Sequence, residues 1–232
     1  VTASGTLTIT DVDADDTPRF DDVASTVANF GSFELTNSVW TYTLDQAQVQ
    51  GLDQGDQVTD TTTFTATDGS EQQVSVTITG TNDTPTVANA IADQTATEDS
   101  ALSFQFDKGV FSDLDDDDTL SYTATRSDGS ALPSWLSFDA AARTFSGTPA
   151  NDDVGTLDIT VTATDGSAAT ATDTFTLTVE NTDDIAVISG ETTGAVTEGN
   201  LNDPTVTASG TLTITDVDAD DTPSFKDVAS TV

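Results

Sequence analysis

The chain has 232 residues, 35% of them hydrophobic, and sets 41 Asp and Glu against 5 Lys and Arg, a formal net charge of −36. So large an acidic excess repels nucleic acid and opposes any compact state that does not recruit cations. With no Cys, Met or His, the sequence lacks thiol nucleophiles, disulfides, imidazole bases and the usual zinc ligands.

The length fits two domains of ordinary size better than one large one. No stretch approaches 18 apolar residues, and VTASGTLTIT at the N-terminus has neither the basic nor the apolar zone of a signal peptide. The chain therefore reads as an interior fragment of a longer protein without direct membrane contact.

In chain order, GTLTIT at 5–10, WTYTL at 40–44, TFTAT at 63–67 and QVSVTIT at 73–79 alternate apolar residues with Thr or Ser. LSFQF at 102–106, LSYTAT at 120–125, LDITVTAT at 157–164 and DTFTLTV at 173–179 do the same. That alternation is the pattern of strands with one buried face, and disordered acidic chains lack it. DQAQVQGL at 45–52 reads as one short helical turn at most. Gly, Asp and Asn punctuate the runs at sandwich spacing, so the expected fold is all-β, a series of tandem Ig-like or cadherin-like antiparallel β-sandwiches. Trp40 with Tyr42, and Trp135, lie within this alternation and read as core residues in preference to a sugar-stacking platform.

A repeat organises the chain. Residues 1–27 return at 206–232 with only two changes, Arg19 to Ser224 and Asp21 to Lys226. A shorter echo, TATDGS, occurs at 65–70 and 162–167, followed each time by a strand and an Asn/Asp stretch, GTNDTP at 80–85 and ENTDD at 180–184. The period is thus a pair of related domains of about 100 residues each.

Strand parity collects the acids at the ends of these sandwiches. In an antiparallel sandwich of seven strands, the second and sixth turns lie at the pole where the domain begins. Asn82 and Asp83 from the linker, Asp113 and Asp115 from FSDLDDDD, and Asp165 from TATDGS are therefore expected to converge. Asp11, Asp13 and Asp15 should line the first domain's N-terminal pole with Asp68. Asn181, Asp183 and Asp184 should meet Asp216, Asp218 and Asp220, joined by Glu98 from the far pole of the middle domain; Glu198 holds the matching place in the next unit. Like charges about 4 Å apart repel by about 1 kcal/mol per pair even in water-like dielectric. Hard oxygen ligands in that number suit Ca²⁺ better than Mg²⁺. An EF-hand is excluded, since DVDADDTPRFDD has Asp16 where Gly is needed and Asp22 where Glu is needed. GGxGxD nonapeptides are also absent.

TLTITDVDADDT, VWTYTLD, TFTATDGS and VTITGTND together resemble a VCBS-type repeat. QTATEDSALSF, FSDLDDDDTLSYTAT, LPSWLSFD, FSGTP, DVGTLDITVTATDGS and VENTDD are similar to a dystroglycan-type cadherin-like domain. The resemblance implies the extender region of a Gram-negative RTX adhesin, exposed on the cell surface and anchored in the outer membrane. It divides the chain into a VCBS-type sandwich lacking its first strand at 1–83, a cadherin-like sandwich at 84–183 and the start of the next VCBS-type repeat at 184–232. Carried over from cadherins, Asp113 and Asp115 form the DxD pair, Asn82 and Asp83 the linker ligands, and Asp165 the turn ligand.

The expected role is that of a spacer, rigidified by Ca²⁺ at its linkers, whose partners are neighbouring repeats of the same polypeptide. A Ca²⁺-dependent carbohydrate- or ligand-binding module is the alternative, though no insertion is long enough to build a concave site. Hydrolysis by paired carboxylates lacks an enclosed cleft, so no enzymatic activity is expected. Head-to-tail association is a further expectation, the tail of one molecule completing the first domain of the next.

Overall fold

The structure is a computed structural model that describes residues 1–13, 15–116, 118–200, 207–218 and 221–226. The first unit contains β1 (Thr2–Thr6), β2 (Val23–Val27), β3 (Gly31–Thr36), β4 (Val39–Leu44), β5 (Gln57–Thr65) and β6 (Glu71–Thr79). One sheet runs β1-β4-β3-β2, and β5 pairs with β6 in a second. Period-two alternation sends Phe33, Leu35, Tyr42, Phe64, Val74 and Ile78 into the space between them. A 3₁₀ turn at Gln46–Gln48 bridges the sheets, its first turn capped by the Asp45 carboxylate; this is the short helical element expected there.

The second unit contains β7 (Thr86–Val87), β8 (Gln94–Thr97), β9 (Leu102–Gln105), β10 (Phe111–Ser112), β11 (Ser121–Arg126), β12 (Leu136–Asp139), β13 (Thr144–Gly147), β14 (Gly155–Thr164) and β15 (Thr170–Glu180). Its sheets are β11-β14-β15-β8, β12-β13-β9 and the short pair β10-β7. Ile159, Val161, Ala163, Phe175, Leu177 and Val179 face Phe106, Phe111, Leu136 and Phe145. Beyond it, β16 (Val187–Gly190) pairs antiparallel with β17 (Leu212–Thr215).

Two features differ from the sequence reading. The first strand is Thr2–Thr6, paired with β4, and not GTLTIT, whose Leu7–Thr10 lie outside any strand. In the second copy the assignment is reversed, since LTIT at 212–215 forms β17. The same four residues become a strand where β16 lies beside them. Second, β8 runs parallel to β15 in an otherwise antiparallel arrangement. The chain crosses from one sheet to the other between β7 and β8, held by Ile91 N–H to Asp173 Oδ2 at 2.6 Å and Thr176 N–H to Asp93 Oδ1 at 2.8 Å.

The aromatic residues take core positions. Tyr42 is buried, while Trp40 and Trp135 are half-buried against the two cores. Gly5 permits this for Trp40, because a Cβ there would come within 2.7 Å of the indole.

Candidate metal sites at the seams

The acidic loops close in one repeated way. Asp13 N–H donates to Asp11 Oδ1 at 2.7 Å, Asp115 N–H to Asp113 Oδ1 at 3.2 Å and Asp218 N–H to Asp216 Oδ1 at 3.0 Å. Three residues on, the N–H of Asp16, Asp118 and Asp221 returns to the carbonyl of Asp13, Asp115 and Asp218. Each DxD is thus an Asx turn in which the first carboxylate accepts from the N–H two residues on.

At the first seam the linker joins this loop: Asp83 N–H donates to Asp115 Oδ2 at 2.8 Å, and Asn82 Nδ2 to Asp165 Oδ2 at 3.0 Å. Asp165 is further held by the N–H groups of Ser167 and Ala169 at 2.9 and 2.8 Å. Burial by itself would push the Asp165 carboxyl up, but these hydrogen bonds, Asn82 foremost, outweigh it and hold the group below the usual carboxylate range. Asp113, Asp115 and Asp118 each bring an oxygen within 4.8 Å of the others. In all three, one oxygen (Asp113 Oδ2, Asp115 Oδ1, Asp118 Oδ2) is buried without a hydrogen-bond donor.

The preceding unit reaches the same place through the loop after its 3₁₀ turn. Asp116 N–H donates to Gly51 O at 3.3 Å, and Ser167 Oγ to Gln54 Oε1 at 3.2 Å. A Cβ at Gly51 would lie 2.4 Å from the Asp116 carboxylate, and one at Gly166 would lie 2.8 Å from Asp118 Oδ1. Both glycines allow the close approach. Asp53 on this loop has a buried carboxylate oxygen.

The second seam repeats the first. Asp184 N–H donates to Asp218 Oδ2 at 2.7 Å, and Asn151 Nδ2 bonds Asp184 Oδ2 at 2.9 Å and Asp218 Oδ1 at 3.4 Å. Glu98 is 1% exposed, accepts from Thr182 N–H through Oε1, and keeps Oε2 buried without a donor. Glu98, Asp184 and Asp218 gather within 4.8 Å, as do Asp183, Asp218 and Asp221. Burial, then the charges of Asp183 and Asp216, push the Asp221 carboxyl above its ordinary value.

Of the residues expected from sequence, Asn82, Asp83, Asp113, Asp115 and Asp165 meet at one seam; Glu98, Asp183, Asp184, Asp216 and Asp218 meet at the other. Asn181 is exposed, and Asp220 lies outside the described residues. Asp11, Asp13, Asp15 and Asp68 are exposed. Their loop does lie beside the TATDGS turn, since Arg19 and Thr67 exchange hydrogen bonds at 3.1 and 2.9 Å. Glu198 is also exposed. Sequence reasoning missed Asp118, Asp221 and Asn151. The third acid of each loop was legible in the D-x-D-x-x-D spacing common to residues 113–118 and 216–221; Asn151 carries no local signal.

This architecture defines a series of antiparallel β-sandwiches of the immunoglobulin-like class. More particularly, residues 84–180 match a family model described as "Putative Ig domain". Among solved structures, the human mucin-like protocadherin EC1-2 is 16% identical, covering 71% of this chain and 85% of that one, with a TM-score of 0.46. The human desmocollin-1 ectodomain is 17% identical over 82% of this chain and 37% of that one, TM-score 0.40. An endo-fucoidan hydrolase of glycoside hydrolase family 107 is 17% identical, TM-score 0.37, and matches 72% of this chain over 24% of its own length. The chain therefore spans about a quarter of that enzyme. No curated protein matches. Among the described residues, no helix is long and apolar enough to cross a membrane.

Proposed function

We propose that the chain is a spacer module of a cell-surface adhesin, the extender region of a Gram-negative RTX adhesin, in which Ca²⁺ at the seams stiffens successive sandwiches. The observation that carries this reading is the set of buried carboxylate oxygens without donors at the seams, Glu98 Oε2, Asp113 Oδ2, Asp115 Oδ1 and Asp118 Oδ2. Carboxylates packed this way, facing one another without a cation, are costly to bury, and an oxygen-seeking divalent ion supplies the missing charge. Asp113, Asp115 and Asp118 with the linker would hold one ion; Glu98, Asp184 and Asp218 would hold another.

Each proposed site draws on the linker and the following acidic loop, and the second draws also on Glu98 of the preceding sandwich, so occupancy fixes an angle that a bare linker leaves free. The division at 83/84 and 183/184, the VCBS-type character of the outer units, the outer-membrane anchoring of the whole protein and its partnership with neighbouring repeats belong to this reading. So does self-association by strand complementation. A glycan-binding role finds little support, because Trp40 and Trp135 are committed to the cores.

Small-angle scattering in chelator and in millimolar Ca²⁺ tests it. The expected result is a larger maximum dimension and a narrower conformational distribution with the ion, at an affinity on the order of 10⁻⁴ to 10⁻³ M. Superimposable profiles would refute it.

A further inference from the structure

Arg143 occupies a position that suits it poorly. It ends the turn joining β12 to β13 with φ +54°, in the left-handed region that favours glycine. The turn imposes this conformation: Ala142 N–H donates to Asp139 Oδ1 at 3.0 Å, Arg143 N–H to Ala140 O at 3.3 Å, and Gln105 Nε2 to Ala142 O at 2.6 Å. The side chain gains little in return within the protein. Its Nε is buried without an acceptor, and among the described residues the guanidinium joins no ion pair, in a chain with 41 acids. The acids beside it are committed to their own turns, Asp139 to Ala142 N–H and Asp107 to Gly109 N–H at 2.7 Å. An arginine kept at a strained position, with its donors unanswered, points to a ligand.

Arg143 forms one wall of a cavity of about 280 Å³ between this turn and the edge strand β11, lined also by Leu120, Ser121, Tyr122, Ala140 and Ala141. Tyr122 is fixed there by its contacts with Phe106 and Phe111, whose ring centroids lie 5.5 and 5.9 Å away. Whereas Tyr42 gives its hydroxyl to Asp60, that of Tyr122 has no acceptor among the described residues. A guanidinium and a phenol, both donors, thus border one small space whose other walls are mostly aliphatic. Such a donor pair matches the two oxygens of a carboxylate, and the aliphatic walls match a short apolar body. The net charge of −36 repels polyanions, which restricts the ligand to a single acidic group.

We propose that this cavity binds a small monocarboxylate with a compact apolar body. The carboxylate would be held by the Arg143 guanidinium and the Tyr122 hydroxyl, and the body would lie against Leu120, Ala140 and Ala141. None of these residues is a proposed calcium ligand at either seam, so the site stands or falls apart from the calcium reading.

Sodium benzoate is the probe, titrated into the ¹⁵N-labelled chain in chelator and about 0.15 M NaCl, with benzamide and matched NaCl as controls. Saturable amide shifts are expected at Ser121, Tyr122, Ala140 and Ala141, with a Kd on the order of 10⁻³ M, and benzamide should bind at least about tenfold more weakly. Arg143→Gln should weaken benzoate about tenfold or more, and Tyr122→Phe, which keeps the ring, about threefold or more. Arg143→Gly should abolish the shifts while leaving the denaturant midpoint of the second unit unchanged or raised, because glycine accepts the positive φ without strain. Shifts that fail to saturate by about 50 mM, equal binding of benzamide, or full affinity in Arg143→Gln would each overturn the proposal. A lowered midpoint in Arg143→Gly would overturn it too, since the arginine would then be a brace for the turn. Glucuronate, a carboxylate on a hydroxylated ring, should bind more weakly than benzoate; tighter binding would overturn the apolar character assigned to the ligand.

Discussion

Asp60 and Glu98 are both carboxylates removed from water, 0% and 1% exposed, but their surroundings separate them. Asp60 accepts from Asn29 N–H at 3.1 Å, Phe30 N–H at 2.9 Å and Tyr42 Oη–H at 2.7 Å, so its oxygens are satisfied. It ties the turn before β3 to the middle of β4 and β5, and Tyr42→Phe should cost about 1–3 kcal/mol in chemical denaturation by removing one of those donors. Burial, then the hydrogen bond and charge of Asp60, raise the Tyr42 phenol well above its ordinary value of 10.0. The folded state holds this proton more tightly than the unfolded chain. The associated stability is therefore complete below about pH 10 and is lost as pH climbs through the folded value. Tyr42→Phe should lose less stability than the unsubstituted chain between about pH 8 and pH 11, measured by denaturant midpoint. Glu98 has one donor and a bare buried oxygen. Glu98→Gln removes a charge that nothing in the protein neutralises, so it should raise the melting temperature in chelator while shrinking the increment that Ca²⁺ adds. A variant melting lower in chelator, with the calcium increment intact, would contradict the proposed ligand role.

At the scale of elements, strand positions were largely legible because alternation of Thr with Val, Ile, Leu or Phe is the direct imprint of a half-buried sheet. Even Asp60 was legible in principle, since it stands four residues before Phe64 on β5 and parity points both the same way. What alternation does not encode is which edge a strand joins. The parallel placement of β8 depends on a crossover at 88–93, and the shift of β1 toward Thr2–Thr6 depends on which neighbours lie beside it. The convergence of acids at the seams followed from parity and turn chemistry, whereas Asn151 came from a distant 3₁₀ turn with no such signature. Close strand packing in the second unit gives a sharper test. A Cβ at Gly147 would lie 1.9 Å from the Trp135 carbonyl oxygen, a backbone atom that has no rotamer to yield. Gly147→Ala should therefore displace β13 from the Trp135 turn and cost about 1–3 kcal/mol in denaturant unfolding, leaving the first unit's transition unmoved. The two cores share no residue, which is why the effects should separate.

The whole molecule carries 41 acids and 5 bases, and its only ion pair among the described residues joins Arg19 to Asp21 on the surface, at 3.1 Å. Such a pair adds little to stability. Two kinds of repulsion then oppose folding: a diffuse one spread over the surface, and a local one among the carboxylates facing one another at the seams. Salt distinguishes them, because screening reaches about 30 Å at 0.01 M and about 3 Å at 1 M but acts weakly on groups shielded from solvent. In chelator, raising NaCl from about 0.01 M to about 1 M should raise the melting temperature by a few degrees and then plateau as the diffuse component is exhausted. On that plateau, about 2 mM Ca²⁺ changes ionic strength negligibly, yet it should add a further increase, because the seam oxygens are answered only by an ion bound among them. Mg²⁺ at the same concentration should add less, since it demands octahedral geometry and keeps its water. Equal responses to the two ions, or none beyond the plateau, would mean that screening alone accounts for the charge, and the seams would lose their proposed role as metal sites.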